Sequence, residues 1–415
     1  MDKILFFTSN QIKLHAGGPA GYLANLKRGF ELIGEKLPIF EEKKKKGMAN
    51  LLVSLIPHKK LRKSLRKILT SIIYGEASAL VGILSRNARL RLKHKELKWV
   101  ICNSVPDFIL VYRFLKENNP NVKIALMSHT PETWADEISG SFLGEVTKMT
   151  ESWLIRLAKK LEQEAFEHSD LLIFPTRESM EPCLQKHSWF KQIANSKPIY
   201  FIPTGCNDLK RKKIRPKKEI LKQYHLSKDD NVFRICYVGR HNEVKGYDIL
   251  KSVAQRVSKA TNIEFVIGGG GEIQPLEEPF WKECGRVDPA EIFSISDVFV
   301  LPNRSTYFDL ICLEACSFGI PIIASATGGN ISMNNVTNQI KLFKISDKPE
   351  ENLAETLLEL SQKTKEDLRR IGTELRQSFE THWTLKCFAH NYVQFLKELK
   401  DQQKGIAFGK KHEEH

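Results

Sequence analysis

Phe233-Arg234-Ile235-Cys236-Tyr237-Val238-Gly239-Arg240-His241-Asn242-Glu243-Val244-Lys245-Gly246-Tyr247-Asp248-Ile249-Leu250 is the most informative stretch of this 415-residue chain. An apolar run ends in a loop with two cations between glycines, and a helical pattern opens at Tyr247. That is the strand, loop and helix of a parallel sheet with crossover connections. Arg240 offers planar forked donors and Lys245 a compact point charge. Together they suit a diphosphate whose negative charge grows as its bond to a sugar breaks. Two solvated loop cations are the alternative.

Working outward, short apolar runs recur at Ile4 to Thr8, Trp99 to Asn103, Lys123 to Ser128 and Leu171 to Pro175. They resume at Glu264 to Gly268, Val298 to Pro302 and Pro321 to Ser325. Helical patterns lie between them, so the pattern predicts an α/β chain with two Rossmann-like domains whose parallel sheets face a central cleft. A chain this long exceeds one ordinary core. The first domain is expected over 1–207, including a basic segment at 43–98. The second is expected over 208–380, after a Lys/Arg-rich connector at 210–218. A final helix over 381–400, with Phe388, Tyr392, Phe395 and Leu396 on one face, is expected to pack back on the first domain, leaving a polar tail at 401–415.

Ligands of such sheets bind at the carboxyl ends of strands, which singles out a few further loops. After the first strand come His15-Ala16-Gly17-Gly18-Pro19, where glycine backbone can approach an anion at a helix N-terminus or form an ordinary tight turn. Gly268-Gly269-Gly270-Gly271 is expected as a flexible loop after a strand, able to pass close to a base or phosphate. Pro302 to Thr306 lead through Asp309 into a helix carrying Glu314 within an apolar run. A carboxylate there needs ligand hydroxyls or a structural cation. His129 follows the strand that ends at Ser128 and is either structural or a substrate hydrogen-bonding group.

Net charge is +15, of which the segment 43–98 supplies most, with 16 Lys/Arg against Glu76 and Glu96. The remainder is nearly neutral, and aromatics are not interleaved with the cations, so no nucleic-acid partner is expected. Residues 58–73 place Leu61, Leu65, Ile68, Leu69 and Ile72 on one helical face and cations on the other. This suits an anionic membrane surface or a surface helix packed on the core. The eight cysteines form no Cys-x-x-Cys pair and read as reduced thiols. With no secretory h-region and no run of 18 uncharged apolar residues, a cytoplasmic chain is expected, peripheral on the membrane if the basic helix binds it.

Taken together, these segments resemble the retaining glycosyltransferases of family 4, the glycosyl transferases group 1 with the GT-B fold. The resemblance rests on Gly239-Arg240 followed by Lys245-Gly246, the Gly-rich turn at 268–271, Ser296 to Pro302, and Leu313-Glu314-Ala315 with Gly319-Ile320-Pro321-Ile322-Ile323-Ala324 in that order. The first half adds Gly17-Gly18, His129 and Phe201 to Gly205. The resemblance implies that Arg240 and Lys245 hold the donor diphosphate, Glu314 the ribose, Gly18 backbone a phosphate, and His129 the transferred sugar. It implies reaction on one face of the sugar with no cofactor or metal. One position departs: a second glutamate usual eight residues before Glu314 is Thr306 here, which puts donor identity in doubt and makes Thr306 and Asp309 candidate sugar contacts.

The expected function is transfer of a sugar, from a uridine-nucleotide hexose or N-acetylhexosamine, to a saccharide or lipid-linked acceptor in surface glycan synthesis. The competing expectation is a non-catalytic partner subunit that keeps the fold and binds an acceptor or another transferase.

Overall fold

The computed structural model describes residues 3–9, 12, 18–42, 84–127, 129, 133–139, 151–259 and 262–401. The amphipathic pattern at 58–73, Gly17 and most of the polar tail lie outside the described residues. Two six-stranded sheets are present, and every recorded strand pairing is parallel.

The first sheet has the order β2-β1-β3-β4-β5-β6. Its strands are β1 (Ile4–Thr8), β2 (Ile39–Glu41), β3 (Trp99–Cys102), β4 (Lys123–Met127), β5 (Leu171–Phe174) and β6 (Ile199–Phe201). β1, β3 and β5 are buried at every residue, as continuous apolar runs must be when helices cover both faces. Leu23, Leu26 and Phe30, spaced three and four apart, are buried on the helix Gly18–Leu32.

The second sheet is built from β7 (Phe233–His241), β8 (Ile263–Gly271), β9 (Trp281–Gly285), β10 (Val298–Leu301), β11 (Ile322–Ser325) and β12 (Lys341–Phe343). Its order is β12-β11-β10-β7-β8-β9. The chain winds outward from β7 to one edge, returns to β10, and winds to the other, the doubly wound arrangement of dinucleotide-type folds. Its switch point lies between β7 and β10. The helix Tyr247–Val257 buries Tyr247, Leu250, Val253, Ala254 and Val257 in the same core as Ile235, Tyr237, Phe265 and Val300.

The four strands that the sequence pattern does not predict, β2, β6, β9 and β12, are the four sheet edges. β9 buries only Trp281 of its five residues, and the others have three residues each, so none is a long apolar run.

The chain forms two compact units that are not contiguous in sequence. The first runs to Phe174 and adds Cys183–Ile202 and the chain from Tyr392; the second holds Pro175–Pro182 and Pro203–Asn391. The short excursion is held within the second unit by side chains. Glu181 accepts from the Gly328 backbone N–H, and Ser332 Oγ meets Glu178 Oε2 at 2.5 Å and Thr176 Oγ1 at 2.7 Å. The last helix, Leu385–Asp401, passes from one unit to the other along its length. Its Tyr392, Phe395 and Leu396 are buried, with Tyr392 against Phe6 and Phe395 against Tyr200. Among the described residues no helix is long and apolar enough to cross a membrane.

Candidate functional site

Two loops meet at the switch point of the second sheet, one after β7 and one after β10. Gly246 makes this possible. It has φ +64° and lies so close to Pro302 that an added Cβ would stand 1.8 Å from the Pro302 carbonyl oxygen. The Arg304 backbone N–H donates to Val244 O at 2.9 Å. The Arg304 guanidinium forks onto Asp248 at 2.6 and 2.7 Å and donates to Glu243 O at 2.7 Å. The two loops are therefore one hydrogen-bonded body.

Within that body Lys245 Nζ lies 2.5 Å from Asp309 Oδ2. The same oxygen accepts from Asn303 Nδ2 at 2.6 Å and, at the limit of hydrogen-bond length, from Thr306 Oγ1 at 3.5 Å. Burial pushes the Asp309 carboxyl up. The Lys245 charge and the hydrogen bonds from Lys245, Asn303 and Thr306 outweigh burial and hold it below the usual carboxylate range. Thr306 is itself buried, and the helix Gly328–Thr337 begins against its backbone, where a Cβ at Gly328 would stand 2.1 Å from Thr306 O.

Five residues beyond Asp309, Glu314 sits half-buried on the helix Leu310–Phe318. Burial raises its carboxyl to about 7; Lys212 opposes the rise, and Asp288 and Asp309 reinforce it. Lys212 is itself drawn to Asp288, 2.5 Å away. Such a carboxyl changes charge near neutrality and can accept from, or donate to, a pair of hydroxyls.

Arg240 is not in a loop but is the eighth residue of β7, exposed, and in register with Gly270. The glycine run is likewise not a loop after the strand. Gly268 to Gly271 extend β8 alongside β7, with Gly269 opposite Gly239 and Gly271 opposite His241. The reason is steric. Gly269 has φ +126° and a Cβ there would stand 1.9 Å from Gly239 O, while one on Gly268 would meet Val287 Cγ2 at 2.4 Å. The glycines let the strand approach its neighbour closely where a side chain would hold it off. Beneath them His241 is buried and stacked on Tyr247 with ring centroids 4.0 Å apart.

In the first unit, Gly18 opens the helix Gly18–Leu32. His129 stands beyond β4, with Nε2 2.7 Å from Oδ1 of Asn103, which follows β3. Tyr22 covers the imidazole at 4.3 Å between centroids, and its hydroxyl lies 2.5 Å from that of Tyr392. Burial lowers the His129 pKa to about 3, so the ring is neutral near pH 7 and acts as a hydrogen-bonding group rather than a cation.

Asn303 and Asn103 were not singled out by sequence reasoning. Each is a polar residue within two positions of the carboxyl end of a strand, the signal that selected the loops around them. Among the described residues no group of three His, Cys, Asp or Glu side chains is placed to hold a metal ion. The second unit places Arg240 near the end of β7, Lys245 in the loop before the helix Tyr247–Val257, and Glu314 on the helix Leu310–Phe318, all at or after the strands that flank the switch point. That set can hold an anionic group and hydroxyls.

Two six-stranded, doubly wound parallel sheets fit the two-domain α/β GT-B fold. Solved structures bear out that fold over almost the whole chain. Sucrose-phosphate synthase from Thermosynechococcus elongatus superposes with a TM-score of 0.62 at 17% identity, covering 96% of this chain and 99% of the other. HepE from Anabaena, solved in complex with UDP-glucose, gives 0.61 at 14% identity, covering 95% and 99%. Residues 232–363 match the family model Glycosyl transferases group 1. Relatives in sequence include D-inositol 3-phosphate glycosyltransferase of Mycobacteroides abscessus, 25% identical over 185 residues, 40% of this chain and 39% of that protein. Sulfoquinovosyl transferase SQD2 of Arabidopsis thaliana is 34% identical over 102 residues, 23% of this chain and 20% of that protein. The chain thus matches well under half the length of these curated relatives.

Proposed function

We propose that this protein transfers a sugar from a nucleoside diphosphate donor, with retention of anomeric configuration and without a metal ion, to a saccharide or lipid-linked acceptor. The observation that carries the reading is the placement of Lys245, Arg240 and Glu314 around the switch point of the second sheet. Lys245 and Arg240 offer charge to the diphosphate, most strongly as the leaving group gains charge. Glu314 offers its carboxylate to the ribose hydroxyls, and neutral His129 hydrogen-bonds the transferred sugar. A uridine nucleotide fits the structural neighbour solved with UDP-glucose, and a role in surface glycan synthesis rests on the sequence resemblance alone. Contact with anionic membrane through residues 58–73 is part of the proposal on the basic pattern alone, and a cytoplasmic site of action on the sequence's lack of a long uncharged apolar run.

Thr306 in place of a glutamate, and a Lys245 whose charge is already met by Asp309, favour a second reading, a non-catalytic partner subunit. One experiment separates the two. The purified full chain is screened with UDP, GDP and ADP and a panel of their sugars in the presence of chelator, following thermal stabilisation and donor hydrolysis. Stabilisation by one diphosphate with turnover of one of its sugars supports the enzyme, and the anomer of the product, read by NMR, tests retention. A folded protein that binds a diphosphate but turns over none of the sugars, with or without candidate acceptors, supports the partner subunit.

A further inference from the structure

Asp309 occupies the position just before the helix Leu310–Phe318, where an aspartate ordinarily turns its carboxylate onto the first free backbone N–H groups. Here it makes no such capping bond. Oδ2 is instead directed at Lys245 Nζ, 2.5 Å away, with Asn303 Nδ2 at 2.6 Å. Asn303 is fully buried, and its Oδ1 meets no hydrogen-bond donor among the described residues, so Asp309 alone accounts for how its amide is turned. The Lys245 and Asp309 side chains are 15% and 19% exposed, so water screens the pair only partly. An anionic carboxylate thus stands where Lys245 would otherwise meet a phosphate, and it has forgone a helix cap to do so.

Resting on the donor reading above, we propose that Asp309 is a resident counter-anion of Lys245 that a donor diphosphate must displace, and that it thereby sets the affinity of this site for diphosphates. Displaced from Lys245, the carboxylate has a second place to go, the unfilled cap of its own helix. The same charge discriminates among ligands. A nucleoside lacking phosphate has no claim on Lys245 and leaves the ion pair intact, whereas a diphosphate competes for the ammonium directly.

The test uses the full chain, with Asp309→Asn and Asp309→Ser. Both replacements are favoured at a helix N-cap and neither carries charge, so the helix end is preserved while the counter-anion is removed. Affinities for UDP, GDP and ADP, and for uridine, guanosine and adenosine, are measured by calorimetry, with melting temperature as a check on folding. The expected result is that both variants bind the preferred diphosphate at least about tenfold more tightly than wild type, with nucleoside affinity unchanged. Unchanged or weaker diphosphate binding in folded variants, against a wild type that binds, overturns the counter-anion and leaves the donor reading standing. An equal gain for the nucleoside also overturns it, as does loss of folding in both variants, which would make the carboxylate structural. If wild type and folded variants bind none of the three diphosphates, the donor reading itself fails and this inference falls with it.

Discussion

Gly246 and Pro302 belong to different loops, yet a β-carbon on the first would lie 1.8 Å from the carbonyl oxygen of the second. The pair fixes how the loop bearing Lys245 meets the loop bearing Asp309. Gly246→Ala must therefore push the loops apart and also hold alanine at φ +64°. A stability loss above about 2 kcal/mol is expected, together with loss of the diphosphate response. Denaturant unfolding and diphosphate calorimetry on the same sample check both. A variant with wild-type stability and affinity would show that the contact is not needed.

Arg240 is exposed at the end of β7, so Arg240→Ala is expected to change stability by no more than about 0.5 kcal/mol. On the proposed reading it still lowers donor turnover by about tenfold or more, because the lost cation acts on charge that develops in the transition state. Steady-state kinetics with the preferred donor decide this, and unaltered turnover would remove Arg240 from the diphosphate site.

Lys245→Ala differs, because it leaves the Asp309 carboxylate half-enclosed without its cation. We expect both loss of donor turnover and destabilisation of roughly 1–3 kcal/mol, largely relieved in the double variant Lys245→Ala/Asp309→Asn. Four-way thermal melts measure the coupling, and additive losses would show that the ion pair contributes nothing to folding.

The Glu314 carboxyl gives a pH dependence whose sign can be worked out. Burial raises it to about 7 in the folded protein from the usual glutamate value near 4.5. The folded state therefore binds the proton more tightly than the unfolded state. Its favourable contribution is complete below about pH 4.5 and is lost as pH rises through about 7. Glu314→Gln removes this slope, so the variant gains on wild type between pH 5 and pH 8 by on the order of 2 kcal/mol. On the proposed reading it also loses the rise in nucleoside affinity as the carboxylate forms. Melts from pH 5 to pH 8 test the first half, and parallel curves for the two proteins would refute it.

His129 has the opposite sign. Burial lowers its pKa to about 3, from about 6.5 when unfolded, so stability declines as pH falls from about 6.5 toward 3. No ionisation of this ring contributes to an activity profile between pH 5 and 8. His129→Gln should flatten the acid side of the stability curve without moving either limb of the activity profile. NMR titration of the imidazole reads the pKa directly, and a midpoint near 6.5 would contradict the neutral assignment.

How much of this was legible in the sequence depends on burial. The interior strands are apolar runs because helices cover both of their faces, and Ile4–Thr8, Trp99–Cys102 and Val298–Leu301 announce themselves. Edge strands have one neighbour and less cover. Trp281-Lys282-Glu283-Cys284-Gly285 carries two adjacent charges and does not read as an apolar run. The glycines at 268–271 misled for a related reason: the flexibility that suggests a loop here serves close strand approach. Lys245 and Asp309 stand out as charged residues in strand-to-helix turns, and Glu314 as a lone carboxylate in an apolar helical run. That Asp309 would turn to Lys245, 64 positions away in sequence, depends on the register of β7 against β10, which no local pattern encodes.

The closing helix bears on how the protein is made. Tyr392, Phe395 and Leu396 complete the core of the first unit, beside Phe6, Tyr22 and Tyr200, yet they are synthesised after all of Pro203–Asn391. The core of the first unit is therefore completed only after the second unit has been translated, against the order in which amino-terminal domains generally close first. The first unit must wait with an aromatic socket unfilled until the final helix emerges. A premature stop near residue 391 would thus damage the end of the molecule that had been translated first.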